Sequence, residues 1–173
     1  MHLETPRLLV RPYREADLDD FHAIFSDPLV MAECEPPFDR AASRKWLAYF
    51  IEHPIAFGVV EKQSGRLIGH ALFKQLPGEQ DGIWEIGWIY NRAFWRKGYA
   101  YEAARAQIDH GFAHLNLHKV CAETIDPVKS VRLMEKLGMQ QEGVFRRHVK
   151  NPVTGRWADL YWYAVLNPAM QAT

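Results

Sequence analysis

Arg96, Lys97 and Gly98 stand in a row between an apolar, strand-like segment (residues 83–90) and an alanine-rich, helix-like one (residues 98–115). Phe94 and Trp95 precede them, and Tyr99 and Ala100 follow. This order of residue types suits a cradle for a phosphate-bearing ligand. The first N–H groups of a helix have no partner within it and point outward. The helix dipole favours an anion at that end. Glycine lets the backbone turn and approach a ligand closely, and two cations add charge.

The strand-like segment before the cradle carries a carboxylate, Glu85, among apolar residues, with Gly87 leaving room beside it. Alternation puts Trp84, Ile86, Trp88 and Tyr90 on one face, and Ile83, Glu85, Gly87 and Ile89 on the other. A carboxylate in this setting is a candidate general base, directly or through water; an ion-pair role is the alternative. Glu123, in the following strand-like segment, is the competing base. Other patterns do not assemble a site. His110, His114 and His118 recur at four-residue spacing, but the third falls past the helix end and no carboxylate completes a metal set, so no metal is expected. Cys34 has no paired histidine, which argues against a thiol nucleophile. Trp157, Tyr161, Trp162 and Tyr163 straddle both faces of a strand, which suits core and interface packing, including a homodimer surface, better than base stacking.

The elements that must position these groups follow from periodicity. Residues 8–12 read as a strand. Residues 15–26 and 39–53 read as helices, with Leu18, Phe21, Ile24 and Phe25 inward in the first and Trp46, Leu47, Phe50 and Ile51 inward in the second. The acidic, proline-containing stretch between them reads as a loop. Residues 55–62 and 66–75 form a hairpin across Gln63-Ser64-Gly65, and Leu76-Pro77-Gly78 breaks its second strand. After the cradle come a strand at 118–125 and a helix at 126–137. Asp126 is its expected N-cap, Pro127 its N1 residue and Gly138 its C′ residue. Two final strands, 142–150 and 157–166, flank a turn at 151–155. The order argues an α/β (α+β) fold, a mixed sheet with helices on both faces. Neither a G-x-G-x-x-G after the first strand nor a Walker A sequence is present.

The 173 residues suit one domain, with 48% hydrophobic and 24% charged residues typical of a globular chain. The formal net charge is zero, so general affinity for nucleic acid is not expected. Residues 1–90 carry 9 Lys/Arg against 14 Asp/Glu, and residues 91–173 carry 12 against 7, so the basic half begins at the cradle. Two cysteines build no disulfide framework. The first residues lack the pattern of a signal peptide, and no apolar run approaches spanning length. A cytoplasmic protein without membrane contact is expected.

Five fragments in order and spacing resemble the GNAT superfamily of acyl-CoA-dependent N-acyltransferases, and within it the ribosomal-protein N-terminal acetyltransferase (RimJ/RimL-like) branch. Thr5-Pro6-Arg7-Leu8 with Arg11-Pro12 is similar to the branch's opening, and Gly65-Arg66-Leu67-Ile68-Gly69 to its central hairpin. Trp95-Arg96-Lys97-Gly98-Tyr99-Ala100, with Glu102-Ala103, is similar to its pyrophosphate loop and helix. Ser130-Val131-Arg132-Leu133-Met134-Glu135-Lys136-Leu137-Gly138-Met139 is similar to its second cofactor motif. Glu142-Gly143, Arg156-Trp157-Ala158-Asp159 and Tyr163-Ala164 are similar to its closing hairpin. Trp95 replaces the Gln or Arg usual in the wider superfamily and fits the branch. Pro127 stands where the branch often carries Asn, so that side chain's contact to the pantetheine arm has no counterpart.

The resemblance implies a mostly antiparallel central sheet and a single N-acetyltransferase domain over residues 1–173. Acetyl-CoA would be co-substrate, bound by Trp88, Ile89, Tyr90, Arg96, Lys97, Gly98, Tyr99, Ala100 and Ser130. The strand at 83–90 would splay from the next and hold the pantetheine arm, with the Ile89 N–H as oxyanion donor. Ser130 would lie near the thioester sulfur and protonate the leaving thiolate; satisfying the helix start is its alternative role. The acceptor would be a primary amine, on a peptide N-terminus or a small molecule, attacking directly in a ternary complex. The loop at 26–38 would help form the acceptor site, where Glu33 and Glu35 could attract a cation. A non-catalytic acyl-CoA-binding regulatory domain is the alternative reading.

Overall fold

The computed structural model describes residues 1–76, 78 and 82–170. Eight strands form one sheet: β1 (Leu3–Glu4), β2 (Leu8–Arg11), β3 (Ala56–Glu61), β4 (Leu67–Gln75), β5 (Ile83–Tyr90), β6 (Lys119–Thr124), β7 (Gln140–Lys150) and β8 (Trp157–Leu166). Their spatial order is β1-β2-β3-β4-β5-β6-β8-β7. Every neighbouring pair is antiparallel except β5 and β6, which run parallel. The helices are α1 (Leu18–Phe25), α2 (Pro28–Met31), α3 (Arg40–Glu52), α4 (Tyr99–His114) and α5 (Lys129–Lys136).

The helices divide between the two faces, as the element order predicts. Phe21, Ile24 and Phe25 of α1 lie at helical spacing and pack with Met31 of α2, Leu47 of α3 and Tyr13 over Ala56, Val60 and Leu67. On the other face, Ala103, Ala104 and Ile108 of α4 join Met134 of α5 over Val59, Phe73, Ile86 and Val120. Small residues bring α4 close to the sheet. A Cβ on Gly111 would stand 3.3 Å from Phe73 Cζ of β4 and 2.8 Å from Leu117 Cδ1 in the loop before β6.

Several boundaries differ from the periodicity reading. The stretch at 26–38 contains the one-turn helix α2, because Asp27 accepts the Leu29 N–H and Pro28 presets the first turn. Ile51, expected inward, is 37% exposed in the last turn of α3. Helix α5 begins at Lys129, three residues late, with Val128 and not Asp126 as its N-cap; Asp126 sits in the turn before it and accepts the Val128 and Lys129 N–H groups. Gly138, at φ +83°, ends it, with the Met139 N–H returning to the Met134 carbonyl. Of the expected strand break at 76–78, Pro77 lies outside the described residues, and Gly78 has φ +82°.

Candidate active site

The parallel pair opens. β5 and β6 are in register only from Ile83 with Lys119 to Glu85 with Cys121. Beyond that point β6 continues beside β8, and β5 continues beside β4 to Tyr90. Residues 86–90 therefore present one backbone edge to a gap. Which groups face it follows from strand parity. The Gly82 carbonyl accepts from His118 and Lys119 on the β6 side, while Ile83 and Asn91 bond to Leu76 and Ile68 on the β4 side. Even-numbered residues thus aim their backbone groups at the gap, and odd-numbered ones at β4. The N–H groups of Ile86, Trp88 and Tyr90 face the opening. The Ile89 N–H points toward β4, which corrects its expected role as oxyanion donor.

The cradle sits at the end of β5. Asn91 caps a short 3-10 turn at Arg92–Phe94 by accepting the Ala93 N–H. The Trp95 indole N–H then donates 2.7 Å to the Tyr90 carbonyl and ties the loop to the strand end. Arg96 has φ +61° and Gly98 φ +81°, and α4 begins at Tyr99. The chain passes twice through the left-handed region within three residues, which turns it sharply into the helix.

A cavity of about 540 Å³ runs along this junction. Trp88, Ile89, Tyr90, Arg96, Gly98, Tyr99, Ala100 and Ser130 all line it, so most sequence-selected residues converge. Ile89 contributes to the lining even though its N–H is turned away. Lys97 and Glu85 are not among the lining residues. The Lys97 ammonium lies 4.9 Å from the Phe94 ring centre, outside the lining, and Glu85 is ion-paired with Lys74 at 3.2 Å. Sequence reasoning missed a basic face on α5: Lys129, Arg132 and Lys136 also line the cavity. Lys129 lies 5.8 Å from the Trp95 ring centre and Lys136 lies 4.6 Å from that of Tyr101. Their three- and four-residue spacing, one face of a helix, was the available signal.

The cations, the glycine turn and the helix start suit a diphosphate, and the open strand edge suits an extended amide-bearing arm. These residues fit the co-substrate the sequence implies.

Glu33, from the segment after α2, lines the cavity with Asp126. Burial raises the Glu33 carboxyl above its usual range, the Asp126 charge adds to this, and Lys129 opposes it. Glu123 is raised first by burial and then by Glu85, against Lys74 and His148. Cys121 is buried and pushed up to about 12, by burial and then by Glu85. Cys34 is raised by burial, then by Glu33 and Glu35. Both thiols are thus poor nucleophiles at neutral pH. No group of three metal-ligating side chains occurs among the described residues.

An anion cradle beside a splayed parallel strand pair, in an otherwise antiparallel sheet, defines an acetyltransferase-type fold. The chain belongs to the GNAT family: residues 7–140 match the acetyltransferase (GNAT) domain. The uncharacterized N-acetyltransferase YnaD of Bacillus subtilis is 35% identical over 170 residues, covering 96% of this chain and 97% of that protein. A crystal structure of a GNAT-family acetyltransferase from Bacillus anthracis superposes with a TM-score of 0.88 at 32% identity, covering 96% of this chain and 99% of that one. Spermidine N-acetyltransferase from Vibrio cholerae, solved with CoA and spermine, shares the fold with a TM-score of 0.79 at 22% identity, covering 94% and 97%. Among the described residues no helix is long and apolar enough to cross a membrane.

Proposed function

We propose that residues 1–173 form one cytoplasmic N-acetyltransferase domain of the RimJ/RimL-like branch, moving an acetyl group from acetyl-CoA to a primary amine. The observation that carries this reading is the divergence of β5 from β6 beside the cradle. Arg96, Lys129, Arg132 and Lys136 hold the diphosphate end, helped by the N–H groups of Gly98, Tyr99 and Ala100. The gap-facing N–H groups of Trp88 and Tyr90 replace Ile89 as candidates for pairing the pantetheine amides and the oxyanion.

The neutral amine attacks the thioester carbonyl. A C–N bond forms, the C–S bond breaks, and the amine gives up one proton. Glu85 takes that proton through water, with Glu123 as the competing acceptor, and Ser130 passes its hydroxyl proton to the departing thiolate as it regains one from water, to which the glutamate returns its own. Glu33 draws a cationic acceptor to the cavity, a peptide N-terminus or a small-molecule amine. The ion pair of Glu85 with Lys74 is the one observation favouring an acyl-CoA-binding domain without a working base.

The test is CoA release from acetyl-CoA across a panel of N-terminal peptides, polyamines, amino acids and aminoglycosides. Amine-dependent release supports the enzyme. Tight CoA binding with no release from any amine sinks it in favour of the binding domain.

A further inference from the structure

Arg7 precedes Lys97 by 90 residues and touches the cradle from behind. Its Nη1 donates 2.9 Å to the Lys97 carbonyl. Its guanidinium lies 4.5 Å from the Tyr99 ring centre. Glu102 of α4 fixes it in place, accepting from Arg7 Nε at 2.6 Å and from the Arg7 backbone N–H at 2.9 Å. Thr5 Oγ1 donates 2.6 Å to the same carboxylate. The N-terminal strand segment is thereby bolted to the first turn of α4 and to the loop ahead of it.

The Lys97 carbonyl and the Gly98 N–H belong to one peptide plane. In a trans peptide the two point in opposite directions. Arg7 does not line the cavity of about 540 Å³, and the Lys97 carbonyl points to Arg7, so the Gly98 N–H points the opposite way. On one side of that peptide stands Gly98, at φ +81°, a residue type that tolerates φ of either sign, so its own backbone does not fix the peptide's orientation. The Arg7 charge is offset by Glu102 at 2.6 Å, so attraction of an anion by net charge is not what this pair supplies. Resting on the acyl-CoA reading of the cavity, we propose that Arg7 is a positioning residue for coenzyme A: it holds the Lys97–Gly98 peptide in the orientation that aims the Gly98 N–H at the diphosphate.

Calorimetric titration with CoA tests this in two variants. Arg7→Lys keeps the charge but cannot bridge Glu102 and the Lys97 carbonyl as a fork does. Its affinity for CoA should fall roughly tenfold, the scale of one hydrogen bond to a charged group. Glu102→Gln loosens Arg7 while removing a negative charge near the cradle. Positioning predicts weaker CoA binding, about threefold on the same scale, whereas charge alone predicts tighter binding. In turnover the loss should appear in KM for acetyl-CoA and not in kcat, with the melting temperature showing that each variant is folded. If Arg7→Lys destabilises the fold, the sign of the Glu102→Gln effect still decides. Wild-type affinity in Arg7→Lys, or tighter binding in Glu102→Gln, overturns the role of Arg7 alone. Wild-type protein that binds no CoA overturns the acyl-CoA reading and this proposal with it.

Discussion

The Trp95 indole N–H reaches back five residues to the Tyr90 carbonyl, at 2.7 Å. That carbonyl faces the gap where β6 has left, so without the indole it would lose its protein partner. The bond therefore does two things at once: it satisfies the strand end and sets the angle at which the chain enters the cradle. Trp95→Phe keeps the ring but removes the donor. A partly buried carbonyl left without a partner costs about 1–3 kcal/mol. CoA affinity should fall several-fold with a modest loss in melting temperature. Unchanged affinity by calorimetry would show that the indole bond does not shape the cradle.

Gly98 stands at φ +81°, where a side chain is strained by about 1–2 kcal/mol. A Cβ there would be 3.4 Å from Arg7 Nη2, an ordinary contact, so backbone strain and not collision dominates. Gly98→Ala should weaken CoA binding. Gly98→Asp, whose side chain starts 3.4 Å from Arg7 Nη2, adds a negative charge to the loop and competes with Glu102 and the Lys97 carbonyl for Arg7, and should abolish it while far-ultraviolet circular dichroism stays native. Normal CoA affinity in Gly98→Asp would remove the cradle assignment.

Local pattern carried much of this fold because short apolar runs bounded by turn residues mark the strands, and residues such as Phe21, Ile24 and Phe25 recur at helical spacing. β5 and β8 fall where the apolar runs put them, and Gly98 and Gly138 sit where left-handed turns are needed. What stayed hidden is non-local. The side of β5 to which the Ile89 N–H turns depends on its pairing with β4, which no single strand reveals. The Lys74–Glu85 ion pair arises across a ladder, and the Arg7–Glu102 bolt spans 95 residues. The basic face of α5 was locally legible, but its convergence with Arg96 required the tertiary packing.

His70 is buried among Tyr13, Phe25 and Phe50 and shares a 2.8 Å hydrogen bond with the Tyr13 hydroxyl. Burial lowers it to about 4 from an ordinary 6.5. The folded state therefore holds it neutral where the unfolded chain would bind a proton. Its stabilising contribution is complete above about pH 6.5 and is lost as pH falls toward about 4. The difference is on the order of 3 kcal/mol. Denaturant unfolding from pH 7 to 4 should show that decline, and His70→Phe should flatten it. An equally steep decline in the variant would assign the acid sensitivity to other groups.

Glu85 and Glu123 lie on neighbouring strands, and the charge of Glu85 contributes to the raised pKa of Glu123. Glu85→Gln should lower kcat by about 100-fold, the scale of one general base, while CoA binding persists. Full turnover in that variant eliminates Glu85 as the base. If Glu123 then carries the residual rate, the acid limb of the pH–rate profile should move to lower pH, because the neighbouring negative charge is gone. Glu123→Gln should erase that limb only if Glu123 is the acceptor.

Asp126 links helix stability to the electrostatics of the cavity. Only 6% exposed, it accepts the Val128 and Lys129 N–H groups at 2.9 and 3.0 Å. It therefore sets where α5 begins and where Ser130 stands in its first turn. The same carboxylate helps raise Glu33 across the cavity. Two substitutions separate these effects. Asp126→Ala leaves the Val128 and Lys129 N–H groups without their acceptor and should cost about 1–2 kcal/mol, seen as a drop of several degrees in melting temperature. Asp126→Asn keeps an oxygen that can accept both N–H groups but removes the charge. It should melt near the wild-type temperature while Glu33 titrates at a lower pH, so that amine KM stays low further into the acid range. Equal destabilisation by both variants would mean that the charge, and not the accepting oxygen, holds the start of α5.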